Sequence, residues 1–384
     1  MSQLAKEVAI AGVGYSKLSR GDEPDSRVLT LDACRGALSD AGVAPREVNG
    51  MFQYAHGTES PYVEQVQRTL GIENLACYQD ALHGGPSGMG PGMMAVMAVA
   101  SGVCDMALAY RTLPQKEGNN ARVVEGPEEA GGLDQFTMTY GNGARILSQY
   151  ALKKQRRMAE FGNGAEEYGL ISLNGRKWSS MNERAVLRQL LTMDDYLSSR
   201  VIVDPLLLLD CDYPINGSCA ILVTTGERAR DLAQTPVYVD SMAWATGSGG
   251  DFYFADDYLY GGSFECSRHM FGNSSLGPDD IDLLALYDGF THLPISWIEA
   301  FGLCGRGEFM DWADGGKTIG PGGAVPLNTS GGMLAEGRLQ GLGHVTESVL
   351  QLRGVCGERQ VPNARVAAVA GGGSTSCGTM LLRV

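Results

Sequence analysis

The chain has 384 residues, of which 44% are apolar, so it can bury a large core in two domains or in two halves of one unit. Its formal charge of −14 disfavours binding to nucleic acid or to an anionic membrane surface. The chain has no run of eighteen apolar residues, so no membrane-spanning helix is predicted. The first ten residues lack the apolar centre of a secretory signal, which favours a cytoplasmic location.

The first half of the chain alternates strands and helices. A strand is predicted over Val8–Val13, and a helix over Ser26–Ala41, where apolar residues recur at helical spacing before Gly42. A helix rich in Met and Ala follows at Gly88–Ala100, and a buried strand at Asp105–Tyr110. This order predicts an α/β fold with helices on both faces of the sheet.

Residues 114–200 are predicted to be a long insertion in this first half, and insertions of this length are usually functional. The insertion contains an acidic, glycine-rich stretch at residues 125–132 and a basic run of Lys153, Lys154, Arg156 and Arg157. The basic run is interpreted as a solvated helix face, in preference to a site for the phosphates of an anionic cofactor.

The second half is predicted to follow the same order. It has a strand at Val237–Ala243, helices at Glu265–Asn273 and Gly343–Leu352, and strands at Arg365–Ala370 and Gly378–Leu382. Nine cysteines are spread along both halves with no C-x-x-C pair and no histidine at zinc-finger spacing. They are therefore expected to be small buried apolar side chains, and no metal site is predicted.

An internal repeat connects the two halves. The segment AGVAPREVNGMFQY, Ala41–Tyr54, matches SSLGPDDIDLLALY, Ser274–Tyr287, position for position. Each copy has a proline at the start of a short acidic turn and then an apolar strand that ends in tyrosine. The repeat divides the chain into an N-terminal half, residues 1–232, and a C-terminal half, residues 233–384.

Several segments resemble the thiolase superfamily, in its sterol-carrier-protein and lipid-transfer-protein branch. They are Leu197–Leu232, HGGPSGMG at His83–Gly90, YDGFTHLPISWIEAFGLC at Tyr287–Cys304, Pro326–Gly354 and AGGGS at Ala370–Ser374. The resemblance implies a thiolase fold, in which two repeated βαβα halves form a layered α/β/α/β/α core with a helical insertion in the first half.

The residues that a thiolase uses for chemistry are replaced in this chain. The family places its nucleophilic cysteine two residues before a Ser-Gly pair, where this chain has Gly85 before Ser87-Gly88. The histidine that polarises the thioester carbonyl is replaced by Tyr287, and the Gly-His-Pro motif becomes Gly337-Arg338-Leu339. The second cysteine, which precedes the last glycine loop, is also absent. Thioester exchange through sulfur at these positions is therefore excluded.

The glycine loops remain and suggest a different reaction. The backbone N–H groups of Gly85, Gly371 and Gly372 could stabilise the oxygen of an acyl-CoA enolate. A β-hydroxy thioester can break its Cα–Cβ bond to a ketone and an enolate without a nucleophile, because a base and a proton donor suffice. The chain resembles the cysteine-free aldolases that remove propionyl-CoA or acetyl-CoA from steroid side chains.

That resemblance implies that Tyr287 is the base toward the β-hydroxyl or the acid toward the enolate. The alternative is a core tyrosine, as expected for Tyr54 in the first repeat. The second acid/base stays open between His344, His83 and Asp288, with Arg338 as an electrostatic group; each histidine could equally be structural.

The resemblance further implies a homodimer and an OB-fold partner protein with a zinc ribbon, and CoA as part of the substrate with no separate cofactor. Two alternatives to the aldolase remain. One is an acyltransferase with a relocated nucleophile such as Cys304 or Cys377, and the other is a non-catalytic subunit that binds lipid or CoA.

Overall fold

A mixed sheet of nine strands organises the fold in the computed structural model, which describes residues 6–21, 24–54, 60–81, 88–114, 145–247, 256–373 and 376–384. Its nine strands are β1 (Val8–Tyr15), β2 (Gly50–Tyr54), β3 (Cys77–Ala81), β4 (Met106–Leu113), β7 (Gly217–Thr225), β8 (Val237–Thr246), β9 (Leu283–Leu286), β10 (Val366–Gly372) and β11 (Ser376–Arg383). Two further strands, β5 (Val201–Val203) and β6 (Leu206–Leu207), pair with each other in a separate small sheet. The helices are α1 (Ser26–Ala41), α2 (Val63–Leu70), α3 (Gly90–Ala100), α4 (Arg145–Phe161), α5 (Glu166–Ser180), α6 (Met193–Leu197), α7 (Gly226–Ala229), α8 (Ser263–Gly272), α9 (His292–Ala300), α10 (Phe309–Ala313), α11 (Gly332–Ala335) and α12 (Gln340–Leu352).

The strand order β3-β2-β4-β7-β1-β8-β11-β10-β9 contains the same arrangement twice. In the first half, β2 is parallel to β4, and β7 is antiparallel to both β4 and β1. In the second half, β9 is parallel to β10, and β11 is antiparallel to both β10 and β8. The halves join where β1 pairs with β8, with Ala9 opposite Tyr238.

The sequence repeat corresponds to equivalent elements in the two halves. A short 3₁₀ turn at Pro45–Glu47 precedes β2, and another at Pro278–Asp280 precedes β9. The division proposed at residues 232/233 lies between α7 and β8. Helix and strand limits differ from the predicted ones by a few residues; α12, for example, begins at Gln340 rather than Gly343.

Helices lie in layers around the sheet. The central core joins the side chains of α3 and α12 to inward-facing residues of both halves. Helices α1 and α2 pack on the other face of the first half, while α8 and α9 do so in the second. Helix α3 is apolar all round and buried along most of its length, as a helix between two layers should be.

Local sequence explains where the first helix begins and ends. The carboxylate of Asp25 accepts a hydrogen bond from the backbone N–H of Arg27 and so caps the free N–H groups of α1. Gly42 closes the other end at φ 70°, a left-handed conformation that costs glycine little.

The inserted helix α4 corrects the interpretation of the basic run. Lys153, Lys154 and Arg157 are at most 2% exposed, so the prediction of a solvated face is wrong for them and holds only for Arg156. Buried charges persist where they are paired. The ammonium of Lys154 lies 2.6 Å from Asp210, and the guanidinium of Arg157 is bound by the carboxylates of Glu167 and Glu299 at 2.8 and 2.6 Å. The acidic, glycine-rich stretch at residues 125–132 lies outside the described residues.

None of the helices described in the structure combines the length and the apolar character needed to cross a bilayer.

Candidate active site at the carboxyl ends of β9 and β10

Tyr287 and the last glycine loop meet at one edge of the sheet. Because β9 and β10 are parallel, with Leu286 opposite Ala370, the residues that follow them lie side by side. The backbone N–H of Tyr287 donates a hydrogen bond of 2.9 Å to the carbonyl of Ala370. The pairing therefore places Tyr287 beside Gly371 and Gly372.

The aromatic ring of Tyr287 packs over Gly289. A Cβ added to Gly289 would lie 2.8 Å from Cε1 of the tyrosine and 3.2 Å from its hydroxyl oxygen. The side chain of Tyr287 is half-buried, so its hydroxyl stands at the margin of the core. The glycine two positions on thus provides the space that the ring occupies.

Asp288 is buried and holds the loop to the next helix. Its carboxylate accepts hydrogen bonds from the backbone N–H groups of Met333 at 2.9 Å and Leu334 at 3.5 Å, in α11. His344, on α12 and 4% exposed, places Nε2 3.2 Å from the same carboxylate, although no hydrogen bond of ordinary geometry joins the two groups. Asp288 therefore positions α11 and lies against His344.

Arg338 enters the site from the turn between α11 and α12. Its backbone N–H donates to the carbonyl of Tyr213 at 2.9 Å, and its guanidinium lies 3.6 Å from the carboxylate of Asp212. The side chain is 31% exposed, so it keeps a charged group at the surface of the site. Of the predicted side chains, the structure brings Asp288, His344 and Arg338 together around the loop that Tyr287 begins.

Asp212 is a functional candidate that sequence reasoning missed. Its backbone N–H donates to the carbonyl of Gly289 at 3.1 Å, and its side chain is 15% exposed. Burial raises the pKa of this carboxyl to about 6; Arg338 opposes the rise and Asp288 adds to it. Asp212 lies inside the Leu197–Leu232 segment that carries the family resemblance, but no sequence motif there singled it out as a catalytic candidate.

The glycine loop is held by two side chains from other elements. Gly371 and Gly372 pair with Gly378 and Cys377 of β11. The carbonyl of Gly372 accepts a hydrogen bond from the indole of Trp297 at 3.2 Å, and the carbonyl of Gly373 accepts one from the buried ammonium of Lys153 at 2.9 Å. The insertion therefore fixes one end of this loop. His83 and Gly85, also predicted for the site, lie outside the described residues.

His292 is a second residue that sequence reasoning did not single out. It is 2% exposed at the start of α9, and neither ring nitrogen has a hydrogen-bond partner in the described part of the chain. The ring lies 6.0 Å from that of Phe290 and 5.6 Å from that of Tyr150. Burial lowers its pKa well below the usual value, and the cations of α4 lower it further, so the imidazole is neutral at pH 7.

The cysteines offer poor nucleophiles. Burial raises the pKa of Cys304 to about 12 and also raises that of Cys377, so both thiols are protonated at neutral pH. All nine cysteines are free, and six of them are buried. Across the described ranges, no group of three or more His, Cys, Asp or Glu side chains is placed to hold a metal ion.

Comparison with known proteins identifies the family. Residues 244–382 match the family model "Thiolase C-terminal domain-like". The chain is 32% identical to the "17-hydroxy-3-oxo-4-pregnene-20-carboxyl-CoA lyase" of Mycobacterium tuberculosis, over 98% of this chain and 100% of the relative. It is 33% identical to the "Steroid side-chain-cleaving aldolase" of Thermomonospora curvata, over 99% of each. A solved structure, the "Ltp2-ChsH2(DUF35) aldolase", superposes with a TM-score of 0.89 at 28% identity and covers 98% of both chains. The chain belongs to the thiolase superfamily, in the branch of the steroid side-chain-cleaving aldolases.

Proposed function

We propose that this protein catalyses the retro-aldol cleavage of a β-hydroxyacyl-CoA with a steroid side chain, and releases a ketone and a short acyl-CoA such as propionyl-CoA or acetyl-CoA. The observation that carries the proposal is the full-length similarity to one relative named as a lyase of a 17-hydroxy steroid carboxyl-CoA and to another named as a steroid side-chain-cleaving aldolase. The site supports it independently, because it keeps the family's glycine loop and puts a tyrosine where sulfur chemistry would need a histidine.

The chemistry follows from bond polarity. Cleavage of a β-keto thioester needs a nucleophile to accept the departing acyl group. In a β-hydroxy thioester, loss of the hydroxyl proton lets the electrons of the O–H bond form the ketone, while the Cα–Cβ pair enters the thioester enolate. Backbone N–H groups of Gly85, Gly371 and Gly372 are proposed to stabilise that enolate oxygen.

Tyr287 is proposed to transfer a proton in this reaction, as base to the hydroxyl or as acid to the enolate. Its position at the end of β9, fixed by the hydrogen bond to Ala370, supports this role. Arg338 is proposed to act through its charge, because a guanidinium stays protonated at all relevant pH values. His344 and Asp288 are buried against each other, which favours positioning roles for both.

A partner protein is also proposed. The similar "Ltp2-ChsH2(DUF35) aldolase" names a DUF35 protein in its assembly. We propose that this chain works with such a partner, of OB-fold and zinc-ribbon type, and that acyl-CoA enters as substrate with no further cofactor.

A homodimer is proposed through β3. Within the described sheet β3 pairs on one side only, with β2, and Tyr78 on it is 53% exposed. The strand at the other end, β9, is covered by residues 326–328, since Leu284 bonds to Pro326 and Asn328. An open edge is a template for pairing with a second chain. Sedimentation of the wild type and of Y78K tests this; a wild-type monomer at micromolar concentration would contradict it.

The test of the activity uses the chain with and without a DUF35-type partner. A tertiary β-hydroxyacyl-CoA with a steroid ring is the substrate, and both the ketone and the short acyl-CoA are quantified. Equal amounts of the two products are expected, with the same rate when this chain alone is dialysed against EDTA before the partner is added. Tight binding of the thioester without either product, in the reconstituted complex, would support a non-catalytic subunit instead.

A further inference from the structure

Asp212 lies between the two loops that form the site. The adjacent Cys211 forms an antiparallel bridge with Phe290, and Asp212 itself donates its N–H to the carbonyl of Gly289. On the other side, the backbone of Tyr213 bonds to Met333 and Arg338. Hydrogen bonds to both loops thus fix the main chain at Asp212, so its carboxylate has a defined place in the site.

The surroundings of this carboxylate leave it available for proton transfer. Among the acidic groups nearby, Asp288 is 1% exposed and its oxygens are occupied by backbone N–H groups of α11. The carboxylate of Asp212 is 15% exposed and lies 3.6 Å from the guanidinium of Arg338, so it is less enclosed than Asp288 and has a cation beside it. Burial brings its pKa to about 6, so near neutral pH it is ionised and can accept a proton.

Asp212 and Tyr287 are brought together through Gly289. The tyrosine ring packs over that glycine, and the glycine carbonyl accepts the N–H of Asp212. Tyr287 is thus placed against Gly289 by its ring and Asp212 by its backbone N–H, so both residues are anchored to the same glycine. A carboxylic acid and a phenol differ in acidity and are suited to separate base and acid roles.

We propose that Asp212 is the base of the reaction and Tyr287 the acid; this rests on the proposed function. The β-hydroxyl proton moves to the carboxylate of Asp212, the oxygen electrons form the ketone, and the Cα–Cβ pair forms the enolate. The phenol of Tyr287 then protonates Cα, and the thioester carbonyl is restored. The proton on Asp212 returns to the tyrosinate through solvent, so no proton is consumed.

The experiment compares D212N, D212E and Y287F with the wild type, and uses the exposed Asp231 in D231N as a matched control. With the tertiary β-hydroxyacyl-CoA, kcat of D212N should fall by about 10²- to 10⁴-fold, while D231N stays at the wild-type rate. In the wild type, kcat should decline below about pH 6 as the carboxylate is protonated, and D212N should lack this decline. Y287F should be slow but should keep the decline. D212E should recover part of the rate, with the decline at a shifted pH.

A second readout separates chemistry from folding. Because the ionised Asp212 is disfavoured by burial, D212N should unfold at pH 7 at no lower urea concentration than the wild type. The assignment of Asp212 as base would be overturned if D212N had the wild-type kcat, or if a slow D212N kept the decline of kcat below pH 6. Either result would leave the proposed function standing. A wild type that binds the thioester and releases no ketone would overturn the proposed function, and the base with it.

Discussion

The ammonium of Lys154 lies 2.6 Å from the carboxylate of Asp210, and both side chains are at most 1% exposed. Asp210 also accepts hydrogen bonds from the hydroxyls of Tyr196 at 2.7 Å and Thr291 at 2.5 Å. One buried carboxylate thus connects the inserted helix α4 to the residue that precedes α9, a few positions beyond Tyr287. The insertion is therefore part of the support of the site.

Replacing Lys154 by Met should destabilise the protein by about 3–5 kcal/mol, because it leaves the buried charge of Asp210 without its cation. Urea unfolding at pH 7 measures the loss. Arg156 on the same helix is exposed, and R156M should change the free energy of unfolding by less than about 0.5 kcal/mol. If the pair is coupled, the double variant K154M/D210N should lose less than the sum of its single changes; strict additivity would refute the coupling.

Lys153 should make stability depend on pH. Burial lowers its pKa from the usual 10.5 to about 8, so between these values the unfolded chain binds more protons than the folded one. The free energy of unfolding of the wild type should therefore rise with pH, relative to K153M, from pH 8 to pH 10.5. Parallel stability curves for the two proteins across this range would contradict the assignment.

Replacing Tyr287 by Phe should lower kcat by about 10²- to 10⁴-fold, because the ring is kept and the transferable proton is lost. Tyr54 occupies the equivalent position in the first repeat, at the end of β2, with its ring under the guanidinium of Arg111 at 4.5 Å. Y54F is thus a matched control that should retain most activity. Steady-state release of ketone measures both; equal rates for the two variants would rule out a special role for Tyr287.

Replacing Gly289 by Ala should displace the tyrosine ring, since the new methyl carbon would lie 2.8 Å from Cε1. A shift of this kind should cost about 10²-fold in kcat with little change in urea unfolding, because the ring can move toward solvent. A methyl group added at Gly272 would meet no atom within 4 Å, so G272A serves as the control. Full activity in G289A would show that the placement of the ring is unimportant.

Alkylation should leave the activity intact. The half-buried thiol of Cys304 and the buried thiol of Cys377 are protonated near neutral pH, so iodoacetamide at pH 7 should change kcat by less than about twofold. C304S and C377S should likewise retain turnover. Rapid inactivation that substrate prevents, and that either serine variant abolishes, would revive the acyltransferase alternative.

The repeat could be predicted from the sequence because local turn residues specify it. A proline turn before an apolar run recurs at Pro45 and Pro278, and the two runs form the equivalent strands β2 and β9. The family motifs assigned Tyr287 and Gly371 to one proposed site, whereas the parallel pairing of β9 and β10 that sets them side by side is known from the structure.

Side chains whose partners are distant in sequence could not be placed in this way. Lysines and arginines are seldom fully buried, so the basic run of α4 predicted a solvated face. The carboxylates of Asp210, Glu167 and Glu299 explain the burial of Lys154 and Arg157, and the carbonyl of Gly373 accepts from the ammonium of Lys153. Asp212 was missed for the same reason. Its local sequence carries no motif, and its acidity depends on burial and on Arg338, which no spacing rule connects to it.

The hydrogen bond from the N–H of Tyr287 to the carbonyl of Ala370 makes the position of this tyrosine depend on the central sheet and not on the insertion. It ties Tyr287, the proposed proton-transfer residue, to the register of two core strands, which can change little without disturbing the whole sheet. In the described part of the insertion, Lys153 reaches the same loop through its side chain. A side chain changed in the insertion should therefore lower stability, as at Lys154, before it moves the backbone of Tyr287.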